Sequence, residues 1–516
     1  MSLKDDFILY NCRVISLDHQ IPSANTIVIS DSKIRYVGII DSPQTLCSQG
    51  STSVDCKGAI VIPGINDSHI HLLAQASRIA QSDLSHAKPG DMEAVTKMLK
   101  SAIAEKPVSA WIKGHGLDNT FFDDTNFTAQ YLDSIFPDNP ISISNQTGHA
   151  MILNSKALVA LDIDDISHSP DGVVERDNSN ELTGKFYELN SSVSSSIRAI
   201  SPSSLFQQNI LALNSYLLSN GITSVHDAGY NNNLSKIDTL NKLADSSLTS
   251  RISTMIQGEE DTINEFVQSK SLKPFSNLNF NTFKIMLTQT TGQFHPSQTE
   301  LNDLIILINK HGFIAAIHAV EKEAIKMAIT AFANAYQFFK IINRIEHCSE
   351  FTSEIRWLMS RTPCAISTQP GFIHFRGDLY SSEGQSVPIT DLYPLKRMNS
   401  LSPILAFGSD APVIEANPWK AIHGAVNRTT LSGAMFGSHD QRMTFLEALY
   451  CFTVNPAKLE GLNAIKSTIS PGKLADILIL NKDHIEPKSI EEIKPMMTIV
   501  GGKIVWDSKD LTLTFH

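Results

Sequence analysis

Apolar and polar positions alternate at short range in residues 1–62, where FILYNCRVISLD, NTIVIS and SKIRYVGII are rich in β-branched residues and break at Asp, Ser and Gly. Runs of this kind predict short strands joined as hairpins. Residues 457–516 repeat the pattern in DILILN, MMTIVGGKIVWD and LTLTF, with Gly501-Gly502 as a tight turn. Two β-rich ends around a long middle predict one small composite β-sandwich built from both termini.

The middle, residues 63–456, has another rhythm. From about Ser201, helix-like segments such as SLFQQNILALNSYLLSN and EKEAIKMAITAFANAYQFF alternate with short apolar runs. Those runs are GITSVHDAG, RISTMIQG, FNTFKIMLT, GFIAAIHAV, INRIEHCSE, PCAISTQP and SPILAFGSD. Regular alternation implies right-handed βαβ units and a parallel sheet. AIVIPGINDSHIH at the front makes eight strands, so the predicted fold is α/β, a TIM (β/α)8 barrel. The first and second strands are too far apart for one crossover. Residues 76–200 are therefore an insertion after strand one, expected as a subdomain over the catalytic face.

Composition narrows the partners. The chain has 516 residues, 42% of them apolar and 18% charged, which excludes intrinsic disorder. Its net charge of −11 comes without any basic run, so no nucleic-acid partner is expected. MSLKDDFILY has too short an apolar stretch for a signal peptide, and no run approaches the ~18 apolar residues of a membrane span. Six Cys (12, 47, 56, 348, 364 and 451) show no CxxC spacing and read as reduced, mostly buried thiols in a cytoplasmic protein.

The chemistry concentrates at strand ends. In PGINDSHIH, His69 and His71 lie two apart, so a strand projects both to one side, where they can share a metal ion. The alternative for an HxH pair is two surface histidines. His318 closes GFIAAIH, His347 closes INRIEH and Asp410 closes ILAFGSD. One histidine at a strand end is commonly structural. Four histidines and an aspartate at the carboxyl ends of strands one, five, six and eight coincide with the place where barrel active sites are built.

The ordered set HxH, Lys, His, EH and GSDAPV resembles the metal-dependent amidohydrolase superfamily. Within it, GHAMILNSKAL, GITSVHDAG, RIEHCSE, FGSDAPV, SPGKLADILIL and VGGKIVW resemble amidohydrolase family 3, the group that includes N-substituted formamide deformylases. The resemblance implies that His69 and His71 bind a more buried metal and His318 and His347 a more exposed one. It implies that Asp410 contacts metal and takes the proton from the attacking water. Lys284, in NTFKIML, falls where family members often carry a carboxylated lysine bridging two metals; a strand-end lysine with a salt partner is the plainer reading. Glu188, in LTGKFYELN, is a rival carboxylate within the insertion.

The implied reaction is hydrolysis of a non-peptide C–N bond in an amide, formamide or cyclic amide, by metal-activated water with Asp410 as general base. The implied cofactor is a divalent metal, zinc by default, at one or two ions per chain. A deaminase-type amidohydrolase acting on a heterocycle is the alternative enzyme. A metal-binding scaffold without catalysis is the alternative outside enzymes, and retention of Asp410 argues against it. The expected partner is a small-molecule substrate, with no nucleic acid and no membrane; association into a homo-oligomer is compatible with the sequence.

Two stretches depart from the family pattern: HAVEK, with Glu321 and Lys322 after His318, and Thr288-Gln289 after Lys284. Neither removes an expected ligand; both lie beside the expected site and bear on the substrate or on the groups behind the ligands. His149 in the insertion is a candidate substrate contact, with a structural hydrogen bond as the alternative. His374, expected on a loop after strand seven, is another, and Arg376 beside it could meet an anionic group. Trp111 reads as core, and His226 as buried without a metal role.

Overall fold

The computed structural model describes residues 7–46, 50–103, 110–146, 148–162, 172–268, 278–290, 292–382 and 384–515. Cys47 and part of the insertion lie outside these residues. Two compact units are present: Met1–Leu72 with Asn214–His516, and Leu73–Leu213.

The first unit holds an eight-stranded parallel sheet. Its strands are β1 (Ile65–Ile70), β2 (Ile222–Asp227), β3 (Arg251–Gln257), β4 (Leu278–Met286), β5 (Ile314–Ala319), β6 (Arg344–His347), β7 (Ala365–Thr368) and β8 (Leu405–Phe407), paired in sequence order. Every residue of β1, β2, β6, β7 and β8 is buried. Barrel strands are covered on both faces, so burial here does not alternate along the strand, and polar residues such as those of INDSHI and RIEH are buried with the apolar ones. Ladder pairing runs from β1 to β8, and the mouth is stitched by two further bonds. Asp410 N donates to His69 O (2.7 Å), and His71 N donates to Ala411 O (2.8 Å).

Both termini contribute to two five-stranded sheets in the same unit. One orders Leu513–Phe515, Thr52–Asp55, Phe7–Tyr10, Thr26–Ser30 and Lys33–Gly38; the other orders Arg13–Val14, Ile60–Pro63, Ile477–Leu480, Pro495–Val500 and Lys503–Asp507. Leu9, Ile27, Val54, Val61, Ile477 and Ile499, drawn from both sheets, lie in a single hydrophobic cluster. Gly501 and Gly502 turn the last hairpin with φ of 54° and 74°, the left-handed pair that a two-residue hairpin turn needs. Arg251, at the start of β3, holds Asp476 through Nε (2.7 Å) and Nη2 (2.9 Å), next to the strand Ile477–Leu480.

The second unit is built on a six-stranded sheet in the order Val173–Arg176, Leu182–Tyr187, Ala150–Leu153, Ile141–Asn145, Ile112–Leu117 and Ser82–Asp83. It has its own apolar clusters, one around Phe121, Phe127 and Ile143 and one around Phe186 and Leu153. Trp111 packs against the second of these, in keeping with its reading as core. Among the described residues no helix is long and apolar enough to cross a membrane. Cys12, Cys56, Cys348, Cys364 and Cys451 are buried free thiols, with the Sγ atoms of Cys12 and Cys56 3.2 Å apart.

Candidate metal centre

His69 and His71 leave the carboxyl end of β1 and meet Asp410, which follows β8. Asp410 Oδ1 lies 3.4 Å from His69 Nε2 and 3.1 Å from His71 Nε2, and Asp410 Oδ2 lies 4.0 Å from His347 Nδ1. The His347 ring is 4.8 Å from that of His69 and 4.6 Å from that of His318. His69, His347 and Asp410 are buried, and each offers a ligand atom within 4.8 Å of the others. Four strand ends thus deliver four imidazoles and one carboxylate to one place.

Backbone geometry explains the convergence. His347 follows Glu346 directly, so simple strand alternation would send the two side chains to opposite faces. His347 instead has φ of 71° and Asp410 φ of 60°, left-handed values that are costly for residues with a Cβ. Asp67 Oδ1 helps to hold the bend by accepting from His69 N (3.1 Å) and Ser409 N (2.9 Å). Burial pushes the Asp67 carboxyl up to about 6, although these amides favour its ionised form. Gly408 is obligatory here because a Cβ would sit 2.6 Å from His69 N. Gly408→Ala is expected to cost about 1–3 kcal/mol through overpacking and to lower metal content, as read by chemical denaturation and elemental analysis.

The electrostatics fit a cation. His69 Nδ1 is 2.5 Å from Glu346 Oε2. A carboxylate only accepts, so Nδ1 carries the proton and the Nε2 lone pair faces Asp410. That buried Nε2 has no hydrogen-bond partner among the described residues. Burial, then the Lys284 ammonium, hold His69 down to about 3, so the ring stays neutral. His347 Nδ1 is likewise tied to Gln369 Oε1 (2.9 Å). An orphaned imidazole nitrogen, backed on its far side by a carboxylate and set beside an aspartate, is the donor arrangement of a divalent metal site.

Glu346 in turn rests on Arg344, which reaches Oε1 through Nε (2.5 Å) and Oε2 through Nη2 (3.0 Å). Burial alone would raise the Glu346 carboxyl; Arg344, followed by His69, outweighs it and holds the group well below the usual carboxylate range. Arg344 also donates to Ser68 O (3.0 Å) and to His226 Nδ1 (3.2 Å). His226 is thus buried beneath the site as an arginine partner. For Asp410 too, burial would raise the carboxyl, but His71, His347 and His69 together depress it well below the usual range. Lys284 is buried in β4, and burial pushes its ammonium down to about 8 against the opposing pull of Glu346 and Asp410.

The other candidates have these contacts. His149 and Glu188 bond to each other in the second unit (3.0 Å), both side chains exposed. His374 is on a helix, α1 (Gly371–Ser382), not on the expected loop. Gly371 and Gly377 weaken the helical signal there, yet they are needed for close packing on Ile414 and Thr430, where a Cβ would stand 2.6 and 2.5 Å away. His374 meets His423 and Glu491 rather than the barrel-mouth histidines. Of the departures, Thr288–Thr290 pairs with Gln293–His295 as a short hairpin, and Lys322 N donates to Glu350 Oε2 (2.8 Å) at the start of the helix after β5.

Sequence reasoning missed Arg344, Glu346, Gln369 and Asp67. A signal existed for three of them. Asp67 shares the two-residue spacing of His69 and His71, and Arg344 and Glu346 are a charged pair, two apart, in a strand otherwise predicted to be buried.

Comparison with known proteins places these features in context. A family model described as "Amidohydrolase family" matches residues 52–506. Protein LONG AFTER FAR-RED 3 of Arabidopsis thaliana is 25% identical over 96% of this chain and 91% of its own length. An N-substituted formamide deformylase of Arthrobacter pascens is 23% identical over 98% of this chain and 99% of its own. The crystal structure of an uncharacterized metal-dependent hydrolase from Pyrococcus horikoshii OT3 superposes with a TM-score of 0.74 at 23% identity, covering 95% of this chain and 99% of the other.

Proposed function

This chain belongs to the amidohydrolase family, and on that premise we propose that it hydrolyses a non-peptide C–N bond in a small amide, formamide or cyclic amide. The observation that carries the reading is the convergence of His69, His71, His347 and Asp410 around the unpartnered His69 Nε2. A divalent ion at these ligands, zinc for an imidazole-rich donor set, supplies Lewis acidity that polarises a carbonyl and acidifies water. His69 and His71 would hold it with Asp410, and His318 and His347 would serve a second ion.

The chain's own groups do the rest. Asp410 is ionised across the neutral range, so it can accept a proton from the attacking water and return it to the departing nitrogen. Glu346, fixed by Arg344, keeps the proton of His69 on Nδ1 and so keeps Nε2 available as a donor. Lys284 reacts with carbon dioxide only as the neutral amine, and its burial favours that form. Its carboxylation would convert a repelling ammonium into an oxygen ligand between two ions.

The test is elemental analysis with native intact mass, followed by a panel of formamides, amides and cyclic amides. Expected are one or two metals per chain that are lost on His69→Asn with His71→Asn, the mass of one added carbon dioxide that disappears in Lys284→Ala, and hydrolysis abolished by a chelator and restored by zinc. A metal-loaded chain that cleaves no C–N bond in the panel would sink the hydrolase reading. Hydrolysis with one metal and no added mass would remove the bridging role of Lys284 alone.

A further inference from the structure

A second group of ligand-capable side chains lies outside the barrel-mouth cluster and shares no residue with it. His374 stands in the first turn of α1. His423 is in α2 (Pro418–Asn427), the helix that follows β8. Glu491 is in the turn Pro487–Glu492, which links the strands Ile477–Leu480 and Pro495–Val500. Each offers a ligand atom within 4.8 Å of the other two. The two rings are 5.5 Å apart, and His374 Nε2 is 4.0 Å from Glu491 Oε2.

The three elements are brought together by packing that the rest of the molecule does not explain away. A Cβ on Gly424 would stand 2.7 Å from Pro370 O and 3.6 Å from His374 Cβ, so the two helices approach closely at the level of the histidines. Asn427 Nδ2 donates to Pro487 O (2.6 Å), which ties α2 to the turn. His374 is 5% exposed, and the nitrogen it turns to Glu491 is Nε2, so a buried imidazole donor faces a carboxylate that reaches solvent. Lys420, the nearby cation, is engaged by Glu415 (2.8 Å) and lies over the Phe375 ring (5.3 Å).

We propose that His374, His423 and Glu491 form a second site for a divalent transition metal, of the zinc class, which clamps α1 and α2 to the turn 487–492. Two imidazoles and one carboxylate are a borderline-soft donor set that suits zinc, and the exposed side of Glu491 leaves room for a water as fourth ligand. Ligand atoms around tetrahedral zinc lie about 3.3 Å apart, so closing the site takes small side-chain movements, the exposed Glu491 being the freest to move. His423 now bonds Thr429 Oγ1 through Nε2 (2.9 Å) and Asn427 Nδ2 through Nδ1 (3.1 Å). One of these bonds yields to the ion while the other orients the ring, the usual pairing for a metal-bound histidine. The role is structural: the ion ties two barrel helices to the terminal sheets. The inference does not depend on the hydrolase reading.

The experiment uses the full chain carrying His69→Asn and His71→Asn, stripped with a chelator and titrated with zinc chloride. Expected are about one zinc per chain and a rise in Tm on zinc addition, both lost when Glu491→Gln or His423→Gln is added. As a control against misfolding of that background, Glu491→Gln in the otherwise unaltered chain is expected to lower zinc content by about one per chain. Zinc content that falls to zero with the barrel-mouth substitutions in a folded chain would overturn the site. So would content that Glu491→Gln leaves unchanged in both backgrounds.

Discussion

Asp410→Asn is expected to lower kcat by about 10²–10⁴-fold, the usual worth of a positioned general base, when assayed with zinc in excess. Asparagine keeps the shape of the side chain and an oxygen that can face His71 and His69, at 3.1 and 3.4 Å in the native chain. It loses the negative charge and the capacity to hold a proton. With zinc in excess and the imidazoles retained, metal content should stay near the wild-type level while turnover falls. His69→Ala, in contrast, should lose metal and turnover together. If kcat of Asp410→Asn remains within about twofold of wild type under metal saturation, general-base work of the size expected for such a group belongs elsewhere.

What could be read in advance follows from what kind of signal each part leaves. The barrel strands were legible because they alternate with helix-like segments, and where a strand is an apolar run, as in the IAAI of β5, a titratable residue closing it stands out. His318, His347 and Asp410 were found at such strand ends, and His69 and His71 by their two-residue spacing. The sheet of the second unit was not, because its strands are short and carry polar residues inside: ISISN and LTGKFY do not look like core. His423 and Glu491 lie 49 and 117 residues beyond His374, and only the folded chain shows that they meet it. Helix α1 was hidden by glycines whose need is tertiary, set by Ile414 and Thr430 rather than by local propensity. The left-handed backbone at His347 and Asp410 leaves only a weak mark, since His and Asp adopt it more readily than most residues but usually do not.

The Arg344–Glu346 pair allows stability and function to be separated. Glu346→Leu leaves a fully buried guanidinium without its carboxylate and is expected to cost about 3–5 kcal/mol, the usual penalty for breaking a buried ion pair from one side. Chemical denaturation of the apo protein measures it. Adding Arg344→Met removes the stranded charge, and apolar replacement of both partners is often close to neutral, so the double variant should recover most of that loss. Metal affinity should behave otherwise. His69 Nδ1 has lost the Glu346 carboxylate in either variant, and loss of such a partner weakens metal binding by about 10–100-fold. The pair is a device for orienting His69 if the double variant is stable yet still binds zinc weakly in competition with a chromogenic chelator. Restored affinity in the double variant would reduce the pair to a component of the barrel core, and the orientation of His69 would then have to come from β1 alone.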